Sequence, residues 1–322
     1  MANSSQFIYS PLLTDYGVKL GVGEFGASQS IAPLFKVNSI QGVYELRERQ
    51  KLGNAGTSRA LGEEYKRKEP SKGEVVNYRA QDHGLIVPVP MELVDGYSQT
   101  DLFGEKANAS SEASIEVLYA HATATKDVTW AGSQAGFNAI YGAANVNVPA
   151  IKWDATGSTI EEDIKAAMNR VRINSGMQPN VIAMNQSVFD AITSNANSSI
   201  YDRIKYTSGT SITKQMLAGL FGVEEIVVFG ELTNSANAGQ AISYTDLYSE
   251  DAVLIFHRNN LPIRNKVNLA TTFYWENSRA PFMGVMERFN ENNLSYEFKV
   301  NAYFDVKLTQ PEAGNVLWDV LT

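Results

Sequence analysis

The chain has 322 residues, with 27 Lys and Arg against 35 Asp and Glu, three His and no Cys, for a formal charge of −8. That balance excludes a protein that coats nucleic acid through a net basic surface, and the missing cysteines exclude disulfides, thiolate catalysis and thiolate metal sites. At 44% hydrophobic and 19% charged, the composition is that of an ordered globular chain, long enough for about two domains.

The first ten residues show no basic segment leading into an apolar one, so no secretory signal is expected. No apolar run nears the roughly 18 to 20 residues that cross a bilayer, and the expectation is a soluble intracellular protein without a membrane partner. Residues 1–35 are polar and dotted with glycine, and read as an extended arm whose apolar anchors are Phe7, Ile8, Leu12 and Leu13. Within them Gly21-Val-Gly23-Glu-Phe-Gly26 matches the dinucleotide fingerprint, with Glu45 about where a ribose-binding acid would lie. The strand that should precede it, Asp15–Leu20, offers only Val18 and Leu20 as aliphatic residues. A dinucleotide-binding enzyme is thus an alternative whose structural context is missing.

Residues 36–82 hold 10 basic and 7 acidic residues, a net +3, while the remainder of the chain carries −11. Glycines at 42, 53, 56, 62 and 73 and a shortage of apolar residues make this a poor core builder. The expected shape is a long twisted hairpin or loop leaving the body. It is either a solvated excursion or an arm that binds another copy through Arg47, Glu48, Arg49, Lys51, Arg59, Glu63, Glu64, Lys66, Arg67 and Lys68.

Leu85–Pro90 is extended, because a residue before proline is pushed out of the helical region. Residues 111–127 lack Gly and Pro and place Ile115, Leu118, Tyr119 and Ala122 at helical spacing, which predicts a long helix with a thin apolar stripe lying across a surface. Residues 150–265 alternate helix and strand. Ser158-Thr-Ile-Glu161 offers a capping box, Ile160, Ile164, Ala167, Met168 and Val171 form one face, and Gly176 ends the helix. Val181–Met184 is a strand, Thr213–Leu220 a helix broken by Gly222, and Ile226–Phe229 and Ala252–Phe256 are buried strands. From Tyr296 to Leu308 every even position is apolar, which predicts one half-buried strand of about 40 Å. So long a strand needs an elongated partner, and the helix at 111–127 is the candidate.

Catalytic chemistry is not indicated. His83, His121 and His257 are scattered singly, with no zinc-binding pair. There is no phosphate-binding loop, and Gly56-Thr-Ser-Arg-Ala60 falls short of a nucleophile elbow at its last residue. Glu161-Glu162 reads as charge at a helix N-terminus and Glu224-Glu225 as a solvated turn. No catalytic, cofactor or metal residue is assigned.

The order of these parts resembles the major capsid proteins of tailed bacteriophages with the Hong Kong 97 fold. Trp153-Asp154 with Ile160-Glu-Glu-Asp-Ile164 and Pro179-Asn180-Val-Ile-Ala-Met184 look like the opening of that family's axial domain. Ile204-Lys-Tyr206, Met216-Leu-Ala218, Phe221-Gly-Val-Glu-Glu-Ile226 and the ending Val306-Lys-Leu-Thr-Gln-Pro311-Glu-Ala-Gly314 continue the likeness. The resemblance implies an α+β fold: an N-terminal arm (1–35), an extended charged loop (36–82), a peripheral domain with a spine helix (83–149), an axial α/β domain (150–265), and a return to the peripheral domain (266–322).

It further implies a non-enzymatic structural protein without a cofactor, forming hexamers and pentamers of a virion shell assembled in the host cytoplasm. The shell would enclose double-stranded DNA without reading its sequence, and portal, scaffold and possible decoration proteins would be its partners. Contacts between copies would come from the charged loop and from Phe7, Ile8 and Leu12 of the arm. An encapsulin-type compartment has the same fold and is the alternative.

Overall fold

A computed structural model describes residues 7–46, 61, 64–65, 67, 74–95, 102–194, 200, 212–236, 239–259, 267–276 and 282–322. In chain order its elements begin with β1 (Ile8–Tyr9), α1 (Pro11–Ile31), β2 (Leu34–Val37), β3 (Gln41–Leu46), β4 (Glu74–Arg79), β5 (Gln81–Pro90), α2 (Met91–Asp95), α3 (Leu102–Thr129), α4 (Gln134–Tyr141) and β6 (Val146–Asn147). There follow α5 (Ile160–Ser175), β7 (Val181–Asn185), α6 (Gln186–Ser194), α7 (Lys214–Phe221), β8 (Glu225–Phe229), β9 (Leu232–Asn234), β10 (Tyr244–Asp246), β11 (Val253–Phe256), β12 (Ala270–Trp275), β13 (Gly284–Asn290), β14 (Ser295–Leu308) and β15 (Gly314–Leu317).

The spine of the molecule comes from two distant parts of the chain. Helix α3, at 28 residues, is about 42 Å long, and β14, at 14 residues, about 45 Å. The two lie together, and Val117, Leu118 and Ala122 share one core with Phe298, Val300, Ala302 and Phe304. Strand β14 is the centre of its sheet. It pairs antiparallel with β5 along ten residues, from Ser295↔Pro90 to Phe304↔Gln81, and with β13 and β12 along its other side. Pro88 and Pro90 are tolerated because β5 pairs only with β14 among the described residues, leaving an edge where a missing N–H costs nothing.

The odd face of β14 is not the solvated face that its polar residues suggest. Glu297 and Asn301 are buried. Glu297 accepts hydrogen bonds from Asn290 Nδ2 at 2.7 Å and Arg288 Nε at 2.6 Å. The Asn290 amide, helped by the Arg288 guanidinium, holds the Glu297 carboxyl below the usual range.

The N-terminal region corrects the expectation of an extended arm. Residues 11–31 form α1, opened by Pro11 and kinked at Phe25, whose φ of −118° and ψ of 23° leave the helical range. Glycines at 17, 21, 23 and 26 give this stretch poor intrinsic helicity, and packing overrides it. Leu13, Phe25 and Ile31 are buried in the core that contains α3, and the Phe25 ring meets Tyr119 edge-on at 5.9 Å. A buried carboxyl fixes the helix end: Glu231 accepts from Ser28 N at 3.0 Å and from Ser28 Oγ at 2.9 Å. Burial pushes the Glu231 carboxyl up. Nearby, Arg258 donates to the Ser30 carbonyl at 2.8 Å and pairs with Glu225 at 2.7 Å. Glu224 is the exposed turn residue expected before the strand, whereas Glu225 opens β8 and is tied into an ion pair.

The second sheet has the order β6-β15-β11-β7-β8. Its central strands β11 and β7 are apolar in an unbroken run, Val253–Phe256 and Val181–Met184, because both faces are covered. Val181, Ala183, Leu254 and Phe256 face the spine core, whereas Ile182, Met184, Val253 and Ile255 face α5, α6 and α7. The expected helix stops are present: Gly176 and Gly222 adopt φ of 68° and 70°. The expected capping box is not. The N-cap of α5 is Thr159, without a side-chain cap bond, and Glu161 instead pairs with Lys165 at 2.5 Å. The chain end also departs from expectation: β15 pairs with β11, and Leu317 and Val320 enter the core of the α/β lobe. Residues 314–320 thus complete the lobe begun near residue 150.

Gly314 shows how tightly that junction is packed. A Cβ there would lie 2.8 Å from Leu269 Cδ1 and 2.9 Å from Tyr141 Cε1. Gly314→Ala is expected to destabilise the fold by about 1–3 kcal/mol through overpacking, read as a lowered midpoint in urea.

Candidate assembly surfaces

The charged segment enters and leaves the body through β3 and β4, an antiparallel two-stranded ribbon in register from Gln41↔Arg79 to Leu46↔Glu74. The expected hairpin is present at its base. An aromatic cluster sets its direction: Phe273, fully buried in β12, is met by Tyr78 at 4.9 Å, Tyr44 at 5.2 Å and Phe35 at 5.8 Å. Rings on β2, β3 and β4 therefore converge on one side chain of β12. Arg79 N donates to Asp305 at 2.8 Å, so the ribbon is also hydrogen-bonded to β14. Beside this contact Gln41, Val43, Asn77, Tyr78, Arg79, Asp305 and Lys307 line an open depression.

Of the ten loop residues expected to contact another copy, Arg47, Glu48, Arg49, Lys51, Arg59, Glu63, Lys66 and Lys68 lie outside the described residues. Glu64 and Arg67 are described. They are almost fully solvated and 4.0 Å apart, a weak exposed pair.

The three arm residues divide. The Arg288 guanidinium lies 4.4 Å from the Phe7 ring centroid, so Phe7 is engaged by its own chain. Strand β1 pairs with Glu287 and Met286 of β13. Ile8 and Leu12 point outward and are 68% and 61% exposed. They form the apolar surface that this end of the molecule offers.

The groups considered for chemistry are dispersed or structurally employed. Gly21, Gly23 and Gly26 sit inside helix α1 and not at a strand-to-helix turn, which removes the context a bound pyrophosphate needs. His257 Nδ1 is 2.7 Å from the Gln178 carbonyl oxygen. Sequence spacing separates His83 from His121, yet both meet Phe304, at 4.2 Å and 5.3 Å. Among the described residues no group of three or more His, Asp or Glu could hold a metal ion, and no helix is long and apolar enough to cross a membrane.

His121 is a pH-sensitive part of the core. Thr272 Oγ1 donates to the Ala32 carbonyl at 3.0 Å, so it accepts from His121 Nε2 at 2.9 Å, which places a proton on Nε2. Burial, then the neighbouring His83, lowers its pKa to about 4. The unfolded chain binds this proton near pH 6.5 and the folded chain does not, so stability is full above that pH and falls as the pH drops toward 4. Between pH 7 and pH 4.5 this group is expected to remove about 2–3 kcal/mol. Urea titrations of the wild type and His121→Gln at both pH values test it; an equal loss in the two proteins would refute it.

No family model matches the chain, and no curated protein matches its sequence. Solved structures do match. A phage-related protein from Bordetella bronchiseptica RB50 superposes with a TM-score of 0.71 at 21% identity, covering 98% of each chain. A virus-like particle from Pyrococcus furiosus matches at a TM-score of 0.53 and 12% identity, over 95% of this chain and 98% of that one. The capsid structure of Cyanophage P-SCSP1u matches at 0.53 and 9%, over 89% and 86%. The fold is the Hong Kong 97-like fold of phage capsid structures, as the order of parts in the sequence suggested.

Proposed function

We propose that this protein is the major capsid protein of a tailed phage, and that copies of it assemble into hexamers and pentamers of an icosahedral shell around double-stranded DNA. The observation that carries the reading is a fold shared along 98% of both chains with a phage-related protein. The surface is consistent with it: a ribbon bearing a +3, charge-dense segment leaves a body of charge −11, so one copy can present opposite signs to the next. Exposed Ile8 and Leu12 add a contact that salt does not weaken. A net acidic body also suits a container, since a strongly basic lining would retain the packaged DNA. Portal, scaffold and possible decoration proteins are the partners this role requires, and host cytoplasm is the site of assembly.

The match to a virus-like particle leaves room for one second reading, the encapsulin-type compartment shell. Electron microscopy of the purified protein tests both. Closed shells are expected, with nuclease-protected DNA when they are recovered from phage lysates. Shells that hold protein and no DNA would move the assignment to the compartment, and a chain that stays monomeric at high concentration would end both readings.

A further inference from the structure

Strands β9 and β10 form a ribbon of their own between β8 and β11, in register from Leu232↔Asp246 to Asn234↔Tyr244. Its root is fixed to the body, where Leu247 N donates to the Glu231 carbonyl at 2.8 Å and Tyr119 of α3 lies 2.6 Å from Thr233 Oγ1. Residues paired across a ribbon share a face, and successive residues alternate. Thr233 and Thr245 therefore hold the face toward α3, and Leu232, Asn234, Tyr244 and Asp246 the opposite one. The usual pattern is inverted: Thr233 faces the body and is half-buried, while Leu232, Tyr244 and, just before β10, Ile242 are 48%, 65% and 66% exposed.

Three further properties bear on what covers that face. An isolated two-stranded ribbon is marginal in water. Solvent-facing edges are ordinarily guarded by lysine, proline or other charges, yet residues 232–246 contain no Lys, Arg or Pro and a single charged residue, Asp246. Finally, copies of a chain of charge −8 repel one another, so they approach at least cost where charge is absent. We infer that the β9–β10 ribbon is a contact between copies of this chain, its outward face of Leu232, Ile242 and Tyr244 packing on a neighbouring copy. The inference rests on the shell reading above and adds to it a surface separate from the charged loop and the N-terminal segment.

The test has two arms. Ile242→Asp with Tyr244→Asp should leave the circular dichroism and melting of the unassembled protein unchanged, and lower the fraction sedimenting as particles by about tenfold or more, as for a hot-spot pair. In the second arm a photo-crosslinking p-benzoylphenylalanine replaces Ile242, and irradiation should give a product of twice the chain mass. Unimpaired particles from the double variant, or crosslinks confined within one chain, would overturn the inference, as would crosslinking to a different protein. If the wild type forms no shells the capsid reading fails by itself, and the crosslink still decides: a double-mass product upholds the contact between copies, and its absence overturns it.

Discussion

Phe273→Ala is expected to lower stability by about 3–5 kcal/mol and to impair assembly more than that loss alone would. The first effect follows from removing a fully buried ring from a tight aromatic cluster. The second follows from what the ring touches. Phe35 on β2, Tyr44 on β3 and Tyr78 on β4 each meet Phe273, and together they determine the angle at which the charged segment leaves the body. Without that ring the ribbon keeps its own ladder but loses its seat on β12. Urea denaturation gives the stability term, and sedimentation under conditions where the variant is still folded gives the assembly term. Phe273→Leu, which restores most of the volume but no ring stacking, should recover much of the stability and less of the assembly. Particles formed at the wild-type level by Phe273→Ala would separate the ribbon's seat from its role.

The second large effect is electrostatic. Changing Arg47, Arg49, Lys66 and Arg67 to Glu takes the formal charge from −8 to about −16 and reverses the sign of the loop against the body. A single exposed pair contributes about 0–1 kcal/mol, so one reversal would be nearly silent. Four act together, each turning an attraction into a repulsion, and the effect repeats at every contact of a closed shell. The variant should fold with a wild-type melting temperature and fail to form particles. Added salt should partly restore assembly, because screening weakens the repulsion. Normal particles at low salt would remove the loop from the assembly mechanism.

Much of this architecture was legible in the sequence where one physical signal dominated. The alternation from Tyr296 to Leu308 marked β14, and the double-sided burial of Val181–Met184 and Ala252–Phe256 showed as uninterrupted apolar runs. The glycine stops of α5 and α7 were visible for the same reason, since their positive φ restricts the choice of residue. Helix α1 was not legible, because its glycines and an apolar content spread around the helix, not gathered into one stripe, hide a helix that depends on packing on α3. The width of the α3 interface was hidden as well. Ser110, Ser114, Thr125 and Thr129 are buried there, and their hydroxyls donate to carbonyls of the same helix, so residues that count as polar fill a core. Of the candidate contact surfaces, the loop stands out in the sequence by its charge density alone. The split between Phe7 and its neighbours Ile8 and Leu12, and the outward-facing ribbon, depended on which neighbours the fold supplies.

The place of β14 in the chain has a consequence for timing. Strands β5, β12 and β13 all pair with it, and α3 packs along it, yet residues 295–308 leave the ribosome after every one of them. At about 5–20 residues per second, the spine helix waits some ten seconds or more for its strand. An interrupted chain lacks the one element on which the sheet closes, and so cannot complete its fold. Translation thus orders events: the sheet built on β14 closes only once nearly all of the chain has been made.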